Sequence, residues 1–143
     1  MRDRLTNLLI VTAAAFVAAG GYIHLREWLD TYRNVPASVP GAAVVRIGFP
    51  VNAAVSLVLV IALLATVGRW KSFLTIVAAS AFAFEAASLA SLILSRTGSV
   101  LGWKEPVWTD GANQARLVEV IALVALAGVL AAPRFLSARR RFV

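Results

Sequence analysis

Residues 73–95 read FLTIVAASAFAFEAASLASLILS, and Glu85 is the only charged side chain in the run. Wound as a helix at about 1.5 Å per residue, the run covers a hydrocarbon core of about 30 Å. A helix is the form required there, because hydrocarbon offers no partner to an open N–H or C=O. Two runs of the same character precede it, 5–25 (LTNLLIVTAAAFVAAGGYIHL) and 49–67 (FPVNAAVSLVLVIALLATV), and one follows, 115–132 (ARLVEVIALVALAGVLAA). The expected fold is all-α, an integral membrane four-helix bundle in one domain. Residues 26–48 and 96–114 are expected as outer loops, and 133–143 as a cytoplasmic basic tail.

Composition agrees with this reading. Of 143 residues, 60% are hydrophobic and 15% charged. A soluble domain of that size leaves too much surface exposed to hide so much apolar area. Lys and Arg outnumber Asp and Glu by 14 to 7, a net charge of +7. The basic residues sit at the ends of apolar runs, without the aromatic interleaving of a nucleic-acid surface, so nucleic acid is not an expected partner. Arg134, Arg139, Arg140 and Arg141 are expected to meet anionic lipid headgroups. The lack of cysteine excludes disulfides, thiolate metal sites, haem attached through cysteine and a cysteine lipid anchor.

Local signals set the expected boundaries. The start Met1-Arg2-Asp3-Arg4 with Ala18-Ala19-Gly20-Gly21 also has the outline of a cleavable signal. Three further spans favour a retained first helix. Its continuation is expected to end by about Asn34, ahead of Pro36 and Pro40, with 42–47 at the interface. Pro50 is expected in the first turn of the second helix, where a missing N–H costs little. Gly68-Arg69-Trp70-Lys71 reads as a tight basic turn, and Pro133-Arg134 as the stop of the fourth helix.

Charge sets the expected orientation. Arg2, Arg4, Arg69, Lys71, Arg134, Arg139, Arg140 and Arg141 fall in short segments on one side. Arg26, Arg33, Arg46, Arg96, Lys104 and Arg116 are spread over roughly twice that length on the other. Both termini are therefore expected on the cytoplasmic side of the membrane that the chain crosses. Small residues mark the expected packing faces: Ala13, Ala14, Ala15, Ala18, Ala19 and Gly20 in helix 1; Ala78, Ala79, Ala83, Ala86, Ala87 and Ala90 in helix 3; Ala122, Ala125, Gly128 and Ala132 in helix 4. In lipid such faces let backbones approach, so other membrane helices, or a second copy of this chain, are expected partners.

Polar residues inside the spans carry the candidate chemistry. Glu85 lies near the middle of its run, where an ionised carboxylate costs several kcal/mol. Ser88, Ser91 and Ser95 follow on the same side of the helix, a stripe about 120° wide at about 100° per residue. One reading is a proton or cation site, or the wall of a wet cavity open to the outside. The other is a neutral Glu85 that hydrogen-bonds a neighbouring helix and holds the bundle together. Arg116 and Glu119, one turn apart, read first as a local ion pair. With Asn52 and Ser56 at similar depth, they and Glu85 are candidates to converge in the outer half.

His24, the only histidine, has Glu27 one turn on. The two are a weak candidate pair of metal ligands, short of the three protein ligands that catalytic zinc uses. No metal and no cofactor is expected. Gly-rich phosphate loops, serine elbows and paired metal motifs are missing from the sequence, and Glu105 and Asp110 read as surface acids beside tryptophans, so no enzyme is expected.

Several short motifs carry a resemblance: His24-Leu25 closing helix 1, Tyr32 and Pro36 after it, Gly48-Phe49 with Asn52, Gly102-Trp103-Lys104-Glu105, and Val118-Glu119. The chain resembles a loose group of small four-span actinobacterial membrane proteins, mostly without assigned function. That resemblance implies a topology and brings no activity. The leading functional expectation is an accessory or self-associating component of a membrane assembly. The alternative is a small proton- or cation-linked carrier or channel using Glu85 and the helix 3 stripe.

Overall fold

The computed structural model describes residues 2–67 and 71–139, with side chains from 4 to 67 and 73 to 132. Four α-helices follow one another: α1 (Arg2–Asp30), α2 (Ala42–Ala65), α3 (Lys71–Thr97) and α4 (Asp110–Arg139), with a 3-10 turn at Tyr32–Asn34. No strand occurs among the described residues. All four α-helices are long and apolar enough to cross a membrane. The expected basic turn at Gly68, Arg69 and Trp70, and the tail residues Arg140 and Arg141, lie outside the described residues. So do the side chains of Arg134 and Arg139.

Packing centres on α1, which lies along α2 and α4; α3 leans on α4, and its contact with α2 is sparse. Ile10, Val17, Leu63 and Leu126 fill the interior, each at most 1% exposed. Ala13, Ala78, Ala81 and Ala122 let the backbones approach and are fully covered. At Gly21 a side chain is impossible without movement, since a Cβ there would lie 2.6 Å from Ser56 Cβ on α2. The expected packing face of α3 is only partly right. Ala78 is buried, but Ala79, Ala83, Ala87 and Ala90 face outward, because α3 turns its Ala78–Ala81 edge to the core.

Two expectations about proline are corrected. α2 begins at Ala42, so Pro50 sits inside the helix rather than in its first turn. The missing N–H of Pro50 leaves the carbonyl of Arg46 without its helical donor. Trp28 Nε1 from α1 supplies the replacement, donating to Arg46 O at 2.9 Å. α4 likewise runs through Pro133 to Arg139 instead of stopping. Continuing past Pro133 sacrifices only the hydrogen bond to the carbonyl of Val129, four residues back.

The two long connections, α1 to α2 and α3 to α4, lock onto each other. Gly41, at φ 72°, starts α2 in the left-handed region, and a Cβ on it would collide with the backbone of Trp103. Val100 and Trp103 exchange both backbone hydrogen bonds at 2.8 Å across a tight turn. The turn puts Leu101 and Gly102 at positive φ, as the two central residues of a type I′ turn require.

Candidate functional site

All four helices contribute polar side chains to a single cluster: one each from α1, α3 and α4, and two from α2. Ser88 on α3 donates to Glu119 Oε1 on α4 at 2.6 Å. His24 Nε2 on α1 lies 3.1 Å from the same oxygen and 3.3 Å from Ser88 Oγ. Asn52 Nδ2 on α2 donates to Ser88 Oγ at 3.0 Å, and Ser56 Oγ lies 3.4 Å from Asn52 Oδ1. Phe49 closes the imidazole from one side, edge-on at 5.0 Å.

Glu119 is 1% exposed, and its second oxygen, Oε2, is buried with no hydrogen-bond partner. Glu85 is 2% exposed beside Gly20. None of the cluster's hydrogen bonds reaches Glu85, but Glu119 is its charged neighbour. A carboxylate buried this deeply is costly unless it is paired and hydrogen-bonded. His24 and Ser88 both contact Oε1, and neither reaches Oε2.

The expected site is therefore partly assembled and partly redrawn. Asn52, Ser56, Ser88 and Glu119 are joined by hydrogen bonds, and Glu85 stays outside that network. Ser91 and Ser95 do not join: their hydroxyls donate to their own helix, to Ala87 O and Leu92 O, both at 2.8 Å. In apolar surroundings the nearest free carbonyl is the one three or four residues back. The local Arg116–Glu119 pair does not form either. Arg116 stacks on Trp108, its Cζ 4.8 Å from the ring centroid, while Glu119 turns inward.

His24 and Glu27 are also separated in role. Glu27 lies against Gly111 at the start of α4 and takes a hydrogen bond from Arg26 at 3.2 Å. No group of three metal-ligating side chains occurs among the described residues.

A second cluster, not expected from the sequence, caps the end of the bundle where α1 and α3 finish. Arg96 is buried, with Nη1 at 2.7 Å from Glu105 Oε2 and at 2.8 Å from Glu105 O. Tyr32 donates to the same Glu105 Oε2 at 2.6 Å. Glu105 is thus no loose surface acid. It ties the α1–α2 connection, through Tyr32, to the end of α3. Burial first, and then the hydrogen bond to the Glu105 carboxylate, push the Tyr32 phenol above its ordinary range. The available signal was Arg96 itself, a cation directly after an apolar run with an acid nine residues on.

No protein-family model, no curated protein and no solved structure matches the chain.

Proposed function

We propose that the chain is a four-span bacterial cell-membrane protein that exchanges protons at the buried His24–Glu119–Glu85 site, in the service of a small carrier or channel. The observation that supports this reading is the His24–Glu119–Ser88 contact, built from three helices around a 1% exposed carboxylate. One imidazole and two carboxyls are neutral together when two protons are shared among the three. In a dry interior, removing a proton leaves a net charge unless a cation replaces it. A site of this composition couples proton release to cation entry. The proposed orientation, both termini in the cytoplasm, follows the basic clusters and puts this site in the outer half of the membrane.

The test is proton flux into vesicles containing the purified chain and an internal pH-sensitive dye. Flux above that of empty vesicles is expected, abolished by Glu119→Gln and weakened by Glu85→Gln. Flux equal to that of empty vesicles would remove the reading.

A second reading, an accessory or self-associating component, has its own support. Ala79, Ala83, Ala87 and Ala90 form an uncovered small-residue stripe on α3, a surface suited to close helix approach in lipid. Mild-detergent purification followed by native mass measurement tests it. A larger particle that Ala83→Leu dissociates favours assembly, and an unassociated single chain speaks against it.

A further inference from the structure

Between α2 and α3, which touch only sparsely, lies a groove of about 290 Å³. We propose that this groove binds the head of an uncharged, lipid-soluble molecule bearing a hydroxyl or carbonyl, with Asn52 and Ser88 as its hydrogen-bonding floor. The inference rests on the membrane placement of the chain and not on proton exchange.

The floor has hydrogen-bonding capacity to spare. Asn52 uses one of its two N–H groups, toward Ser88, and its carbonyl receives a single long contact from Ser56. Both Asn52 and Ser88 are half-buried and line the groove. In a bilayer the groove opens sideways onto hydrocarbon, where an amide valence without a partner is costly. A ligand oxygen relieves that cost.

Gly48 is the second observation. It lies inside α2 on the groove wall, and a Cβ added there meets nothing within 4 Å. Glycine inside a helix is unfavourable by roughly 0.5–1 kcal/mol relative to alanine. No neighbour in the fold requires its smallness, but an occupant of the groove does.

Charge selects the head. Arg96, the cation on the groove wall, has Nη1 engaged by Glu105 and Nε buried, so an anionic head finds no open partner. Glu119 and Glu85 stand behind the floor. Neither lines the groove, and the one carboxylate that does, Glu105, is engaged by Arg96 and Tyr32. A cationic head therefore finds no open partner. The volume is at the lower end of the range for ligand pockets. It holds a head and the first part of a chain, with the remainder running out between α2 and α3. The rings of Phe49 and Phe84 on the walls suit an apolar body.

The experiment uses the full chain in lipid nanodiscs and three photoactivatable alkyl diazirines of equal length: an alcohol, an amine and a carboxylic acid. The alcohol is expected to label residues 44–52 and 84–92 saturably. Gly48→Phe, or Gly48→Leu should the phenylalanine variant fail to fold, removes that labelling without lowering the melting temperature. Asn52→Leu weakens it about tenfold, the value of one hydrogen bond. Glu119→Gln, which removes proton flux under the preceding reading, leaves alcohol labelling within about twofold, so the two ideas fail separately. Labelling that rises without saturation over all lipid-facing helices overturns the proposal. So does groove labelling that survives a bulky residue at position 48, or that is stronger for the amine or the acid.

Discussion

Ser88 Oγ and Glu119 Oε1 lie 2.6 Å apart, although the residues are 31 positions apart and sit on different helices. The bond places a neutral donor on a carboxylate with almost no access to solvent, and Asn52 holds that donor from behind. Ser88→Ala strips a hydrogen bond from a buried charge and is expected to destabilise by about 1–3 kcal/mol. Ser91→Ala, whose hydroxyl serves only its own helix, is expected to stay within about 0.5 kcal/mol. Thermal unfolding of the two variants in detergent checks the contrast.

Coupling energies separate the partner that Glu119 has from the one it lacks. A double-mutant cycle of His24→Ala with Glu119→Gln is expected to give an interaction of about 0.5–3 kcal/mol. The cycle of Arg116→Gln with Glu119→Gln is expected to be additive within about 0.5 kcal/mol. Equal coupling in the two cycles would mean that the Arg116–Trp108 stacking does not hold Arg116 away.

Trp28 and Pro50 form a compensating pair on different helices. Trp28→Phe removes the donor to Arg46 O and is expected to cost about 1 kcal/mol, the net value of one hydrogen bond. In a Pro50→Ala background the backbone N–H is restored, and the same substitution is expected to cost markedly less. An undiminished penalty in that background, read from the melting curves, would show that the indole acts by packing alone.

The cap around Tyr32 predicts an alkaline transition. The Tyr32 phenol is held above its ordinary value of about 10 by burial and by Glu105. A group whose folded-state value is raised contributes stability fully below its unfolded value and loses it as pH rises through the folded one. The Tyr32 contribution is therefore expected to be intact through neutral pH and to disappear only above about pH 10. Absorbance of tyrosinate during an alkaline titration should show one late-ionising phenol, and Tyr32→Phe should remove it.

Much of the fold is legible in the apolar runs, because in hydrocarbon only a helix satisfies the backbone of residues such as 73–95. The candidate site is legible only as a list. Glu85, Ser88 and Glu119 stand out as polar residues in apolar runs, but the rotation of each helix about its axis decides which of them meet. That rotation depends on tertiary packing, such as Gly21 against Ser56. Arg116 illustrates the limit of local rules. Its one-turn spacing from Glu119 makes a pair possible, but Trp108 offers a cation–π partner before α4 begins, and the inward turn of Glu119 finds His24. Pro50 and Pro133 mislead for a related reason. A proline removes one hydrogen bond, which a neighbouring side chain replaces at Pro50 and the helix does without at Pro133.

The most direct test of the central claim uses the fact that the chain has a single histidine. Nitrogen-15 NMR of the labelled imidazole in nanodiscs reports the hydrogen bond at Nε2 without ambiguity of assignment. The account predicts that Glu119→Gln shifts the His24 Nε2 resonance strongly, that Ser88→Ala shifts it less, and that Glu27→Gln leaves it in place. A His24 signal indifferent to Glu119→Gln but moved by Glu27→Gln would contradict the account, returning the imidazole to the boundary of α1 and leaving Glu119 without its partner.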